Sequence, residues 1–185
     1  PIQRSIINLD KETGISFMKI AEELDTGPVC NIYKINLENN LNASDIADKL
    51  SQLAAEKILD NIDDILENKI TFTEQDHTKA SYAKKINKNE SSINWNSSAK
   101  NIIAKINALN GAYFFYKGSR YKILKAETNS LKGNPGEVIS DDLVIACKEN
   151  SIKVLLIQRE GKRLQKTSEF LLGSQIKKGS LLLNV

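Results

Sequence analysis

The stretch AYFFYKGSRYKILKA, residues 112–126, decides the fold of the second half of the chain. Two runs of aromatic and aliphatic residues, 112–116 and 120–126, flank the tripeptide Lys117–Ser119. A short loop that contains glycine, placed between two runs of strand-favouring residues, is typical of a β-hairpin. We therefore predict two antiparallel strands joined by a three-residue loop.

Further short elements surround this hairpin. Strand-favouring runs follow it at 137–140, 143–147 and 153–158, and a short helix is expected at 167–172. Before it, Ser97 and Ser98 can cap a helix whose apolar positions recur at helical spacing as far as Leu109. About five short strands with one short helix predict a small barrel of the oligonucleotide-binding kind, an OB-like barrel.

The first part of the chain predicts both sheet and helix. Residues 15–20 and 29–37 have strand character, and residues 44–67 have the apolar spacing of a helix, continuous or divided near Asn61. Periodicity is lost beyond about residue 70, where polar residues dominate and predict a linker. The predicted organisation is an α/β part at 1–70, a linker at 71–92 and the barrel domain at 93–185.

Charge divides along the same boundary. Residues 1–80 contain 8 Lys and Arg against 15 Asp and Glu, whereas residues 81–185 contain 18 against 8. A basic second part attached to an acidic first part indicates a polyanionic partner for the second part.

Nine basic residues are candidates for that contact, and on the second hairpin strand Arg120 and Lys122 share one face while Tyr121 and Ile123 take the other. A basic face beside a tyrosine on a small barrel suits a nucleic-acid backbone, although any one of these lysines alone is an ordinary solvated side chain. The nine are Lys84, Lys85, Lys88, Lys117, Arg120, Lys122, Arg159, Lys162 and Arg163.

Composition excludes other classes of protein. Of the 185 residues, 41% are hydrophobic and 26% are charged, which is typical of a folded globular protein. No apolar run approaches the length of a membrane span and no signal peptide is visible, so we expect a cytoplasmic protein without membrane association. Two distant cysteines and one histidine do not supply a tetrahedral zinc set, so no metal is expected.

Asp25 is the candidate for chemistry, within Leu24-Asp25-Thr26-Gly27. A carboxylate in a turn beside a flexible glycine can orient a base or a water, and it can equally cap its own turn. Asp-Thr-Gly is also the signature of aspartic proteases, which need two such carboxylates. One copy is present, so a protease would have to be a symmetric dimer.

Seven stretches follow one another along nearly the whole chain: Pro1-Ile2-Gln3-Arg4, residues 10–15, residues 23–28, Tyr82-Ala83-Lys84-Lys85-Ile86, residues 93–99, residues 111–114 and residues 156–162. In their order and spacing they resemble the methionyl-tRNA formyltransferase family. The resemblance implies that the first part is the second half of a Rossmann-like formyltransferase domain. It also implies that the barrel domain helps hold initiator tRNA.

The resemblance further implies an activity and a site. The family moves a formyl group from 10-formyltetrahydrofolate, a co-substrate, to the amine of methionine carried by initiator tRNA. By similarity, Asp25 is the Asp of a catalytic Asn, His and Asp, and Glu23, Leu24, Thr26 and Gly27 border the folate pocket beside it. The Asn and His are expected before Pro1, so these 185 residues are expected to be inactive alone. We expect a monomer.

Two departures and two alternatives accompany the resemblance. Ile93-Asn94-Trp95 stands where the family has Ile-Asp-Trp, and Asn110-Gly111-Ala112 replaces a segment three residues longer. One alternative is another formyltetrahydrofolate-dependent formyltransferase or hydrolase, which would share the Asp loop without this linker and barrel. The other is a non-enzymatic nucleic-acid-binding module.

Overall fold

The computed structural model describes residues 1–38, 40–174 and 176–183. The chain forms two compact units that interleave along the sequence. Unit 1 comprises Pro1–Ile2 and Asp10–Lys84, and unit 2 comprises Gln3–Leu9 and Lys85–Val185. The change of unit at Lys84 falls inside the segment that we predicted as a linker. Three residues of the predicted barrel domain, 175, 184 and 185, lie outside the described residues.

A short helix that the sequence did not predict, α1 (Ile2–Ile7), places almost all of its residues in unit 2. It has six residues and one buried side chain, Ile6, so its apolar pattern is too short to be recognised as periodic.

Unit 1 contains an antiparallel hairpin and one long helix. Strands β1 (Glu12–Met18) and β2 (Val29–Asn36) pair with a register irregularity between Phe17 and Met18. Helix α2 (Ala43–Leu66) is continuous over 24 residues, and Asn42 caps it by accepting hydrogen bonds from the backbone N–H groups of Ser44 and Asp45. The predicted helix and the second strand are confirmed, while the first strand is present but begins three residues and ends two residues earlier than the predicted 15–20.

The residue that suggested a break in this helix instead joins it to the hairpin. The side-chain amide of Asn61 donates to the Tyr33 hydroxyl at 2.8 Å and to the Lys57 carbonyl at 2.7 Å, while its oxygen accepts from Asn31 at 2.6 Å. Asn61 therefore satisfies its polar groups without ending the helix.

Unit 2 is a helix packed on a curled antiparallel sheet, a half-barrel. The sheet has the strand order β3-β4-β6-β5, and β7 pairs with β6. Its elements are α3 (Ala99–Ala108), β3 (Ala112–Tyr116), β4 (Ser119–Asn129), β5 (Val144–Ala146), β6 (Ser151–Arg159), β7 (Gln165–Lys166) and α4 (Thr167–Leu171). Among the described residues β3 and β5 form the two ends of this order, so the OB-like barrel stays a prediction.

Two details of the predicted strands are wrong. The β3–β4 hairpin has a two-residue turn, because Tyr116 and Ser119 already pair, and Lys117 and Gly118 adopt φ values of +46° and +74°. Positive φ at both positions matches the twist of the flanking strands. The predicted strand at 137–140 forms isolated bridges only, since the chain turns at Gly136 and again before β5.

One hydrophobic core fills unit 2. Trp95, Phe114 and Tyr121 lie at its centre, with ring centroids 5.7 Å apart for the first pair and 5.5 Å for the second. Side chains from α3 and from the inner faces of β4, β5 and β6 complete a continuous buried cluster. This core fixes which side chains of the sheet point to solvent.

Candidate functional site

Asp25 lies in the turn between β1 and β2, with a φ of +60°. Asp and Asn adopt this left-handed conformation more readily than other non-glycine residues. The side chain of Gln75 donates hydrogen bonds of 2.8 Å to the backbone carbonyls of both Asp25 and Gly27. The Thr26 hydroxyl donates to the Glu23 carbonyl at 3.0 Å. The backbone of the turn is therefore held at several points.

The carboxylate of Asp25 faces solvent. Within the part of the chain that the structure describes, it makes no hydrogen bond and no ion pair, and the neighbouring Leu24 is 93% exposed. Gly27 is buried, and only glycine fits there because a Cβ would collide with the Lys19 carbonyl. The turn thus presents a solvent-exposed carboxylate on a hydrogen-bonded backbone, and the role of Asp25 stays a prediction.

The five predicted folate-site residues, 23–27, all belong to this turn, with Glu23 and Leu24 exposed and Thr26 half-buried. Their role in binding folate stays a prediction.

A second candidate site lies on the outer face of the unit 2 sheet. A concavity of about 560 Å³ is lined by Lys88, Tyr113, Arg120, Lys122, Gln158 and Glu160, among others. In register, Lys122 lies opposite Tyr113 on one side and opposite Gln158 on the other, so these three form a row across β3, β4 and β6. The predicted alternation on β4 is confirmed, since Tyr121 and Ile123 are buried inside.

The structure therefore gathers three of the nine predicted basic residues: Lys88, Arg120 and Lys122. The others lie elsewhere: Lys117 at the hairpin turn, Arg159 against Ser119, Lys162 and Arg163 in the turn after β6, Lys85 beside Arg4, and Lys84 in unit 1. We name the concavity the basic pocket.

Sequence reasoning missed the groups that hold Arg120 in this pocket. Its guanidinium carbon lies 5.7 Å from the ring centroid of Tyr113, and its Nη2 pairs with Glu160 Oε1 at 2.9 Å. The backbone N–H of Glu160 also donates to the Arg120 carbonyl at 2.9 Å. The register between β4 and β6 brings these residues together, and a single sequence does not specify that register.

Sequence reasoning also missed a bidentate ion pair that joins α1 to the rest of unit 2. Arg4 Nη1 and Nη2 lie 2.6 Å and 3.0 Å from the two carboxylate oxygens of Glu90. Glu90 accepts a further hydrogen bond of 2.8 Å from the backbone N–H of Asn87. The Arg4 hydrogen bond, followed by that of Asn87, lowers the pKa of Glu90 to about 2.

The two departures from the family pattern are accommodated locally. The Asn94 side chain accepts a hydrogen bond of 2.9 Å from the Asn96 N–H, a turn that an aspartate would make equally well. Asn110 and Gly111 have φ values of +51° and +110°, and the Gly111 N–H donates to the Ile106 carbonyl, so the shortened segment ends α3 in one tight turn.

No helix within the described residues is both long enough and apolar enough to span a membrane.

Comparison with known proteins shows which family this chain is similar to. Residues 85–175 match the formyl transferase, C-terminal domain family. A methionyl-tRNA formyltransferase from Pelagibacter ubique is 57% identical over 189 positions, which cover 100% of this chain and 61% of that protein. The chain thus spans about three fifths of the length of the curated relatives it matches.

Solved structures share the fold. HypX from Aquifex aeolicus, in complex with tetrahydrofolic acid, matches 98% of this chain and 36% of its own with a TM-score of 0.69 at 15% identity. An N-formyltransferase from Helicobacter canadensis, in complex with folinic acid and dTDP-3-aminofucose, matches 83% of this chain and 59% of its own with a TM-score of 0.68 at 21% identity.

The coverage of these structures corrects one expectation. We expected formyltransferases that act on other amines to lack the linker and the second part. The match to the Helicobacter canadensis enzyme covers 83% of this chain, which is more than either unit contains, so the match extends into both units. The fold of unit 2 therefore does not by itself distinguish a tRNA enzyme from such relatives.

Proposed function

The chain belongs to the methionyl-tRNA formyltransferase family, and from this membership we propose that the complete protein serves translation initiation by formylating the methionine amine on initiator tRNA. The observation that carries the proposal is the identity of 57%, which extends over both units rather than over one. We propose 10-formyltetrahydrofolate as the donor of this one-carbon group. Solved structures of the same fold, bound to tetrahydrofolic or folinic acid, support a folate-derived donor.

In this proposal unit 1 completes a Rossmann-like catalytic domain, and Asp25 is its carboxylate. A carboxylate can orient an imidazole and help remove the proton of the attacking amine, while Asn and His side chains from the preceding part of the domain stabilise the developing oxyanion. The solvent-facing side chain of Asp25 on its fixed backbone supports this role. The loop at 23–27 borders the folate.

Unit 2, an OB-like domain in this proposal, holds the tRNA. The basic pocket supports this assignment, because phosphate contacts from Lys and Arg supply most of the affinity of such complexes. The proposed protein is a cytoplasmic monomer that uses no metal and no membrane.

A formyltransferase that acts on another amine is the second candidate, favoured by the shared fold of the enzyme bound to dTDP-3-aminofucose. The two candidates differ in the amine that attacks the formyl group, so they can be separated by substrate.

The test joins the residues that precede the matched region in the Pelagibacter ubique relative to Pro1 and measures formyl transfer from 10-formyltetrahydrofolate. We expect formylation of methionyl-tRNA, and a loss of about 10²–10⁴-fold in kcat/KM for Asp25→Asn with tRNA affinity unchanged. Glu22→Gln, an exposed acid of the same loop, is the matched control and should retain activity.

Turnover of Asp25→Asn near the wild-type rate would refute the role of Asp25. Formylation of the aminosugar nucleotide instead of methionyl-tRNA would favour the second candidate. Binding of tRNA without formylation of either amine would favour a non-enzymatic binding module.

A further inference from the structure

The basic pocket contains an acid, Glu160, and its ion pair with Arg120 contributes little to folding. The two side chains are 57% and 48% exposed, and exposed ion pairs of this kind stabilise proteins weakly. The carboxylate nevertheless lies where it can compete with a bound anion, because Glu160 Oε1 is 2.9 Å from Arg120 Nη2.

Glu160 is held in that position by the backbone. Its N–H donates to the Arg120 carbonyl at 2.9 Å, next to the last paired residues of β4 and β6, and Gly161 then turns the chain with a φ of +71°. The side chain therefore starts from a fixed point beside Arg120 rather than from a free loop.

Arg120 keeps further hydrogen-bonding capacity while it is paired. A guanidinium has five N–H donors, and the salt bridge to Glu160 joins Nη2 to one carboxylate oxygen at 2.9 Å. The ring of Tyr113 lies against the guanidinium, with 5.7 Å between the centroid and Cζ. The head group is thus oriented on two sides, and Lys88 and Lys122 line the same concavity.

We infer that Glu160 is a release residue: it competes with a phosphate of the RNA backbone for Arg120, and so shortens the lifetime of the complex. The inference rests on the proposed binding of tRNA by unit 2. An incoming phosphodiester must displace the Glu160 carboxylate, and because that carboxylate stays tethered beside Arg120 at high effective concentration, it takes the guanidinium back as soon as the phosphate moves away.

Such competition has a purpose in an enzyme that must release a large polyanion. Lys88 and Lys122 attract any phosphate backbone, and a third unopposed cation in the same pocket would slow departure of the product. An internal acid lowers the affinity without removing the contact.

The test measures association and dissociation of fluorescent tRNA with the full 185-residue chain at several salt concentrations. We expect Glu160→Gln to lower koff about two- to fivefold, in addition to the change in kon that removal of any exposed charge produces. Glu127→Gln removes the same charge from an exposed position on β4 outside the pocket, and it should change koff by less than Glu160→Gln.

A double-mutant cycle separates competition for Arg120 from the general effect of charge. If Glu160 acts through Arg120, the gain from Glu160→Gln disappears in an Arg120→Gln background, whereas a long-range effect of charge persists there. Persistence of the gain, or faster dissociation of Glu160→Gln, overturns the inference.

The same data separate the binding of tRNA by unit 2 from the role of Glu160. Absence of salt-dependent tRNA binding by the wild-type chain would overturn both the tRNA-binding role of unit 2 and this inference. Wild-type binding with equal koff values for Glu160→Gln and Glu127→Gln would overturn the inference alone.

Discussion

The two units differ most in how they are held together. Unit 2 encloses a continuous cluster of buried apolar side chains from α3 and four strands. In unit 1, by contrast, the only buried apolar side chains among the described residues are Ile46 and Leu50 of α2. Burial of apolar surface dominates folding free energy, so the stability of the chain is concentrated in unit 2.

Unit 1 relies more on polar contacts and half-buried rings. The amide of Asn61 ties α2 to β2 through Asn31 and Tyr33, and the rings of Phe17 and Tyr33 pack edge to face with centroids 6.0 Å apart. Each such contact contributes modestly, so unit 1 should open more readily than unit 2. The acidic turn therefore lies in the less stable unit and the basic pocket in the more stable one.

The largest loss of stability is expected for a substitution in the core of unit 2. Phe114→Ala removes a fully buried ring between Trp95 and Tyr121 and should cost about 3–5 kcal/mol of unfolding free energy. Urea unfolding followed by the fluorescence of Trp95, the one tryptophan of the chain, measures it.

Phe115→Ala is the matched control, because this neighbouring ring lies on the outer face and is 39% exposed. It should cost under about 1 kcal/mol. Equal losses for the two variants would contradict the division between inner and outer faces of the sheet.

A smaller effect is expected in unit 1. Ile46→Ala empties one of its two buried positions and should cost about 2–3 kcal/mol locally, since a small core can relax around the change. Hydrogen exchange of the β1, β2 and α2 amides should accelerate while the Trp95 transition stays in place.

Leu59→Ala on the same helix provides the comparison, because its side chain is 76% exposed and should leave exchange unchanged. A shift of the Trp95 transition in Ile46→Ala would show that the units unfold together and would break the contrast between them.

The smallest expected effect concerns the pair that fastens α1, and it depends on pH. The pKa of Glu90 is lowered from 4.5 to about 2, so the stability that Arg4 contributes is complete above the unfolded value and is lost as pH falls towards 2. Arg4→Gln should therefore lower the urea midpoint of unit 2 at pH 7. The loss of unfolding free energy should be smaller than the loss that Ile46→Ala causes in unit 1. The difference in midpoint between Arg4→Gln and wild type should disappear as the pH is lowered.

The control for this measurement is Lys57→Gln, which removes a half-buried cation paired with Glu56 and Asp60 in unit 1. It should leave the Trp95 transition unaffected. A difference between Arg4→Gln and wild type that stays constant from about pH 7 to pH 2 would show that the Arg4–Glu90 pair does not stabilise the fold.

The features that depend on neighbouring residues, such as strand faces and helix ends, were predicted correctly from the sequence. Alternation on β4 correctly placed Arg120 and Lys122 outside and Tyr121 and Ile123 inside, because side chains of a strand point alternately to its two faces. The polar residues around Asn42 correctly marked the start of α2, because their side chains can satisfy free N–H groups at a helix end.

Pairings between distant positions could not be predicted in the same way. Arg4 and Glu90 are 86 positions apart, and Glu160 reaches Arg120 only through the register of β4 with β6. Nothing in the local sequence around either residue of such a pair distinguishes it from an ordinary solvated charged side chain. The acidic turn at Asp25 was found from sequence, while the acid inside the basic pocket became visible only in three dimensions.

The interleaving of the units has a consequence for synthesis on the ribosome. Arg4 leaves the exit tunnel 81 residues before Lys85, whose carbonyl it contacts, and at about 5–20 residues per second this interval lasts several seconds. During that time α1 and its apolar Ile6 have no unit 2 to join. The nascent chain therefore leaves this short segment without its packing partner while unit 1 emerges, so α1 can dock only after most of the described chain has been made.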